Sequence, residues 1–250
     1  TMGESVSLDY LRDKKRKILE NEGAGLIEFI ETDYNLNLVS GHEFVKNRFK
    51  NAAKAIKHNQ LDVLPMGYLI SGPIGTGKSF LVSAFAGEIG IPMVIIRNIH
   101  GQQNGFTENN LEKILSILKA ISPVAVMIDE ADAMLGSRED KSTNSESSRI
   151  FAQIANFMGN TEYRGKIIWF LITSRPDLIP IDLKRQGRAE EHLALFYPET
   201  VEEKIDVVKG IEMLETALIE SEKKLETVTK ELEDTKNTFQ RTLAEYDNYR

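Results

Sequence analysis

The stretch that decides the fold of this chain is Gly72-Pro73-Ile74-Gly75-Thr76-Gly77-Lys78-Ser79. It follows an apolar run at 66–70 that predicts a buried strand. The glycines let the backbone curl so that its N–H groups face an anion, and the helix that follows adds the positive end of its dipole. In this pattern Lys78 reaches the β- and γ-phosphates of a nucleotide, and the Ser79 hydroxyl ligates Mg²⁺.

A second stretch, Val124-Ala-Val-Met-Ile-Asp129-Glu130, comes about 50 residues later. Its apolar run predicts a strand that ends in two carboxylates. Such a strand delivers Asp129 to the metal and Glu130 to a water molecule beside the γ-phosphate. Each stretch alone could be an unrelated loop. Together and in this order they predict a chain that binds and hydrolyses ATP.

The composition narrows the class of protein. The chain has 250 residues, a net charge of −7 and no cysteine. The acidic balance argues against a nucleic-acid partner, and the lack of cysteine excludes disulfides and zinc–thiolate sites. No apolar stretch approaches the ~20 residues of a membrane helix, and no signal-peptide pattern is present. We therefore expect a cytoplasmic protein without a membrane partner. The four histidines are scattered, so no metal besides nucleotide-bound Mg²⁺ is implied.

Three segments differ in pattern. Residues 1–35 are interpreted as an N-terminal helical segment; their basic cluster at 12–17 is either a solvated helix face or a contact for phosphate or nucleic acid. Residues 36–200 alternate apolar runs with helical spacing, which predicts an α/β domain with a parallel five-stranded sheet sandwiched by helices. The predicted strands are 66–70, 93–96, 124–128, 167–172 and 192–196.

Residues 201–250 are interpreted as a linker and a long helix. A heptad with Ile211 at position a places Leu218, Leu225, Leu232, Phe239 and Tyr246 at the same position. The d positions are half polar, which predicts a modest coiled coil. The alternative is a single amphipathic helix docked on the α/β domain.

From about residue 36 to 200 the chain resembles the AAA family of the AAA+ P-loop ATPases. Besides the two stretches above, the resemblance rests on Val39–Lys46, on Leu171-Ile-Thr-Ser-Arg-Pro-Asp177 and on Leu183-Lys-Arg185-Gln-Gly-Arg188. It implies that Ser174 is the sensor of the attacking water, where the family has asparagine. It also implies that Arg185 and Arg188 reach into the active site of a neighbouring subunit. The alternative is that these arginines pair with Glu190 or Glu191.

Two departures from the family bear on function. The family's pore loop carries an aromatic residue, and here Gln103-Asn104-Gly105 stands at that place with Phe106 one position late. The threading of a polypeptide is therefore not implied. The helical lid that follows the family's ATPase core is truncated or absent, since the heptad pattern begins near Ile211.

The tail has its own resemblance. Leu243–Arg250, preceded by the heptad helix, resembles the long helix of GrpE-type nucleotide exchange factors. This resemblance implies a contact with a DnaK-type chaperone through the tail.

These patterns favour an ATPase that uses ATP and Mg²⁺, assembles as a homo-oligomer, in the family's manner a hexameric ring, and remodels a protein partner. The alternative is a nucleotide-gated coiled-coil scaffold or chaperone-linked interaction protein with little turnover. Glu130 favours the enzyme, whereas the missing lid and the polar pore loop favour the scaffold.

Overall fold

The computed structural model describes residues 26–30, 32, 34–97, 108–135 and 145–248. Its strands are β1 (Ile27–Ile30), β2 (Gly67–Ser71), β3 (Met93–Ile96), β4 (Val124–Ile128), β5 (Ile167–Thr173) and β6 (Glu191–Ala194). Its α-helices are α1 (Glu43–Lys57), α2 (Lys78–Ile89), α3 (Glu108–Ile121), α4 (Ala131–Leu135), α5 (Ser145–Met158) and α6 (Val201–Asn248). Short 3₁₀ helices lie at Leu36–Leu38, Leu61–Val63, Thr161–Tyr163, Pro176–Leu178 and Ile181–Lys184. The described chain divides into two compact units, one ending at Tyr197 and the other beginning at Pro198.

The strands form one sheet in the order β1-β3-β4-β5-β2-β6. The five predicted strands are present within one or two residues of their predicted bounds, and all of their pairings with one another are parallel. The strands β2 and β4 lie on either side of β5. Because the carboxyl ends of parallel strands meet at one edge, the loops after these three strands converge there.

Helices cover both faces of the sheet, as the uninterrupted apolar strands predict. One core contains the inner residues of α3 and α5 beneath side chains such as Val126 and Trp169. The other contains α1 and α2 beneath Tyr68 and Phe170. The helical spacing predicted between the strands is confirmed for α3 and α5, since Leu111 and Ile154 pack in the first core. Burial of alternate strand residues on opposite faces thus fixes the register of the sheet.

The prediction of a sheet with only parallel strands was wrong at one edge, and so was the prediction of a helix at Ile27–Ile30. These four residues form β1, which pairs antiparallel with β3. Ile27 and Phe29 are buried, and Arg97 donates from Nε to the Glu28 carboxylate at 3.1 Å. A run of four residues carries too little pattern to separate strand from helix. The pairing instead arises from the open edge of β3, whose backbone groups β1 satisfies.

The C-terminal unit contains one long helix, α6, which begins at Val201 and not near Ile211 as the heptad pattern predicts. A capping box starts it: Thr200 Oγ1 accepts from Glu203 N at 3.2 Å, and Glu203 Oε2 accepts from Thr200 N at 3.2 Å. The apolar seam is exposed, with Leu225 72% and Leu232 70% accessible. The pairing of α6 with another helix and the truncation or absence of the lid remain predictions.

None of the helices in the described ranges is long and apolar enough to cross a membrane.

Candidate functional site

The phosphate-binding loop joins the end of β2 to the start of α2. Gly75 and Gly77 adopt φ values of +84° and +78°, a left-handed region that residues with a Cβ rarely enter. Nothing lies within 4 Å of the position where a Cβ would stand at either glycine. Gly77 is the N-cap of α2, so the first free N–H groups of that helix open into this space. The cradle therefore fits an anion.

The loop is held from behind by the segment that follows β6. A Cβ on Gly72 would lie 2.3 Å from the carbonyl oxygen of Leu195, so only glycine fits at this position. The Tyr197 hydroxyl donates to the carbonyl of Ile74 at 2.6 Å and fixes the tip of the loop. The sequence pattern predicts neither contact, because both depend on how β6 places the chain beside β2.

Within the loop the side chains fasten the backbone turn. Thr76 Oγ1 donates to Pro73 O at 2.9 Å. Lys78 Nζ donates to the carbonyls of Gly72 at 2.9 Å and Pro73 at 2.7 Å, and the side chain lines the cavity beside the loop. Burial lowers the pKa of Lys78, and the carboxylate of Asp129 opposes that shift. The flexible four-carbon stem of a lysine lets its ammonium group turn from these carbonyls toward a phosphate that binds there.

Two oxygen ligands suited to Mg²⁺ meet beside the loop. Ser79 Oγ donates to Asp129 Oδ2 at 3.2 Å, which joins the start of α2 to the residue directly after β4. The other carboxylate oxygen, Oδ1, accepts from the backbone N–H of Glu130 at 2.9 Å. A hydroxyl and a carboxylate are ligands that Mg²⁺ prefers, together with the oxygens of phosphates and water. In the described part of the chain no three His, Asp or Glu side chains cluster as a metal site by themselves. The geometry therefore fits a metal shared with a nucleotide.

Glu130 stands at the turn between β4 and α4. Its φ of +48° is unusual for a residue with a side chain. Its carbonyl accepts from the backbone of Ala133 and Met134, so the first turn of α4 holds this conformation. The side chain is exposed and faces the same cavity as Lys78. A carboxylate there can orient and polarise a water molecule.

These groups surround one cavity of about 370 Å³. It is lined by Ile74, Gly75, Gly77, Lys78, Ser79, Phe80, Asp129, Glu130, Thr173 and Ser174. Eight of these are predicted site residues. The predicted residues Gly72, Pro73 and Thr76 shape the loop from outside the lining. Phe80 and Thr173 were not predicted; Thr173 could have been noticed as a polar residue that ends an apolar strand and precedes Ser174.

Arg185 and Arg188 are not among the residues that line the cavity. Arg185 forms an ion pair with the carboxylate of Asp182, and its side chain is 65% exposed. Arg188 Nη1 donates to the carbonyl of Asp182 at 2.6 Å. Burial, and then the neighbouring charge of Arg185, lowers the pKa of Arg188.

The alternative partners proposed for these arginines are engaged elsewhere. Glu190 pairs with Arg164 at 3.1 Å, and Glu191 pairs with Arg48 at 3.2 Å. The ion pair that the structure shows for Arg185 is instead with Asp182.

Three predictions fall on residues outside those that the structure describes. They are the polar pore loop, Gln103-Asn104-Gly105 with Phe106, the N-terminal helical segment up to residue 25 with its basic cluster at 12–17, and the last two residues of the GrpE-like stretch, 249–250.

A phosphate-binding loop between a central parallel strand and a helix, with a carboxylate pair at the end of a nearby strand, defines a P-loop NTPase. Within this class, the sequence profile of the ATPase family associated with various cellular activities (AAA) matches residues 68–197. The chain belongs to the AAA family. Its α/β domain is therefore an AAA ATPase domain, which implies nucleotide binding.

Several curated proteins are similar to this domain. Protein SAV of Sulfolobus acidocaldarius is 34% identical over 138 residues, which are 54% of this chain and 18% of that protein. The cell division cycle protein 48 homolog of Archaeoglobus fulgidus is 33% identical over 137 residues, 54% of this chain and 19% of that protein. The ATPase family gene 2 protein of Schizosaccharomyces pombe is 31% identical over 147 residues, 58% and 18% respectively. The matched part thus spans less than about a fifth of these relatives.

The family profile ends at residue 197, where the first compact unit also ends. It does not reach α6. The resemblance of the tail to GrpE-type factors therefore stays a prediction.

Proposed function

We propose that this chain is a ring-forming AAA ATPase that hydrolyses ATP to ADP and phosphate with Mg²⁺ and uses the reaction to remodel a protein partner. One observation carries the proposal. The cavity gathers the phosphate loop, the carboxylate pair and Ser174, whereas the two arginines that would complete it are turned to Asp182 and do not line it.

Within one subunit each lining group has a distinct task. Lys78 and the loop N–H groups hold the phosphates, and Ser79 and Asp129 would hold Mg²⁺. The metal, when bound, neutralises charge on the phosphate oxygens. Glu130 orients the attacking water and accepts its proton, and Ser174 hydrogen-bonds the same water from the β5 side. The side chain of Ser174 is shorter than the asparagine side chain of the family and reaches less far toward the water, so we expect slower hydrolysis.

Arg185 and Arg188 would act on the site of a neighbouring subunit. Arginines supplied in trans are worth about 10³–10⁵ in the rate of GTPases, because they stabilise charge on the transferring phosphoryl group. The exposure of Arg185 is compatible with this role, since its guanidinium is already at the surface. An isolated subunit should therefore bind ATP and hydrolyse it slowly.

The second candidate function is a nucleotide-gated coiled-coil scaffold with little turnover. The exposed seam of α6 favours it, because Leu218, Leu225 and Leu232 leave more than half of each side chain accessible. The resemblance of the tail would add a contact with a DnaK-type chaperone.

The dependence of ATPase rate on protein concentration separates the two functions. For the ring enzyme, the rate per subunit should rise steeply over the range in which the oligomer forms, as followed by light scattering in the same samples. Glu130→Gln is the control, which should assemble without this rise. A rate per subunit that is low and unchanged across assembly would support the scaffold and contradict the ring enzyme.

A further inference from the structure

Thr173, the last residue of β5, makes contacts with three different parts of the site. Its hydroxyl donates to Asp132 Oδ1 at 2.5 Å and accepts from the backbone N–H of Arg175 at 2.9 Å. Its carbonyl accepts from the N–H of Gly72 at 3.3 Å. The residue is 1% exposed, yet it borders the nucleotide cavity.

The bond to Asp132 fixes the turn that carries Glu130. Asp132 lies in the first turn of α4, two residues after Glu130. The same turn holds Glu130 in its left-handed conformation through the bonds that its carbonyl accepts from Ala133 and Met134. A hydrogen bond to a carboxylate is short and roughly twice as strong as one between neutral groups. Anchoring Asp132 to β5 therefore limits how far the Glu130 turn can shift.

The bond from Arg175 fixes the opposite wall of the cavity. Ser174 lies between the two ends of this bond and is exposed to the cavity, so the turn that Thr173 closes sets its direction. The buried hydroxyl of Thr173 thus holds both the Glu130 turn and Ser174 in place.

We propose that Thr173 is a positioning residue for ATP hydrolysis, which holds Glu130 and Ser174 in register around the attacking water through its bonds to Asp132 and Arg175. The inference rests on the proposed roles of Glu130 and Ser174. A water that must be aligned by two groups loses rate when either group moves, because misplacement by about 1 Å can cost about 100-fold. The bond to Gly72 involves only backbone and survives a change of side chain, so nucleotide binding does not depend on the hydroxyl.

The test compares Thr173→Val, which keeps the shape and removes the hydroxyl, with Thr173→Ser, which keeps the hydroxyl. Single-turnover hydrolysis should fall by about tenfold or more in Thr173→Val. The Kd for ATP should stay within about twofold. Thr173→Ser should retain most of the rate, and Thr161→Val is the matched exposed control. Hydrolysis unchanged in Thr173→Val overturns the proposal. So does an equal loss in Thr173→Ser, or a loss of ATP affinity that accounts for the lower rate, since these results indicate a purely structural role.

Asp132→Ala tests the same bond from the less buried side and serves if Thr173→Val does not fold. It should lower single-turnover hydrolysis, and the combined loss with Thr173→Val should be smaller than the product of the two separate losses, because both changes remove the same bond. A normal rate in Asp132→Ala, or losses that multiply in the double variant, contradicts the proposal. Glu130→Gln is run in parallel: normal turnover there would reject the proposed function itself, whereas a dead Glu130→Gln with normal Thr173→Val rejects only this inference.

Discussion

At the scale of single residues, we expect ATP binding to depend on Lys78, whose ammonium group donates to the loop carbonyls and whose side chain lines the cavity. Lys78→Ala should raise the Kd for ATP by about 100-fold or more, because the phosphates lose their point charge. Isothermal titration calorimetry measures the change. Lys54→Ala removes an exposed lysine of α1 and should bind ATP normally. Unchanged affinity in Lys78→Ala would reject the assignment of the phosphate loop.

We expect a change at Glu130 to separate ATP binding from ATP turnover. Glu130→Gln keeps the shape of the side chain, so ATP affinity should be retained, while kcat should fall by about 10²–10⁴ because the amide does not accept the proton of the water. A coupled phosphate-release assay and a binding titration on the same sample measure the two effects. Glu112→Gln, an exposed change on α3, is the control. Turnover near that of the unmodified chain would place the catalytic base elsewhere.

At the scale of elements, the ion pair between Glu190 and Arg164 joins segments that are far apart in sequence. The Glu190 carboxylate accepts from the N–H groups of Met66 at 3.0 Å and Gly187 at 2.8 Å, and from both terminal nitrogens of Arg164. Arg164 also donates to the carbonyl of Leu64. The network fixes the start of β2 beside the loop that carries Arg188. Burial raises the pKa of Glu190, but the hydrogen bonds from Arg164, Met66 and Gly187 outweigh this and lower it overall.

This network predicts a pH-dependent contribution to stability. Because the folded pKa is depressed, the stabilisation is fully present above the unfolded pKa, about 4.3, and is lost as the pH falls through the folded value. Glu190→Gln should lower the free energy of unfolding by about 1–3 kcal/mol at pH 7, and the difference from the unmodified chain should shrink below about pH 4. Urea denaturation at several pH values measures it, with the exposed Glu162→Gln as control. A difference that stays constant down to pH 3 would contradict this account.

The elements also show what the sequence could predict. The apolar runs of β4 and β5 and the glycines of the phosphate loop carry strong local signals, so the parallel sheet and most of the cavity lining follow from them. Two features could not be predicted from local signals: the strand β1 and the hydrogen bond from Tyr197 to the carbonyl of Ile74. Both depend on how segments distant in sequence come together. The start of α6 was misplaced because the capping box at Thr200 and Glu203 lies before the heptad pattern.

At the scale of the whole molecule, the central claim is that the active site is shared between subunits. Arg188→Ala leaves the cavity lining intact and should bind ATP without hydrolysing it, while Glu130→Gln supplies a good arginine but no catalytic carboxylate. In a mixed ring, an Arg188→Ala subunit followed by a Glu130→Gln subunit makes one complete site. Random mixing at equal amounts makes such pairs at roughly a quarter of interfaces.

The most direct measurement is therefore the ATPase rate of these two inactive full-length variants mixed over a series of ratios. Co-assembly is verified by native mass spectrometry. Leu225→Asp with Leu232→Asp in both chains serves as a control that weakens pairing through the exposed seam of α6. The account predicts a maximum near equal amounts, at up to roughly a quarter of the unmodified rate, that persists in this control. No activity at any ratio, in samples where mixed oligomers are shown to form, would contradict it.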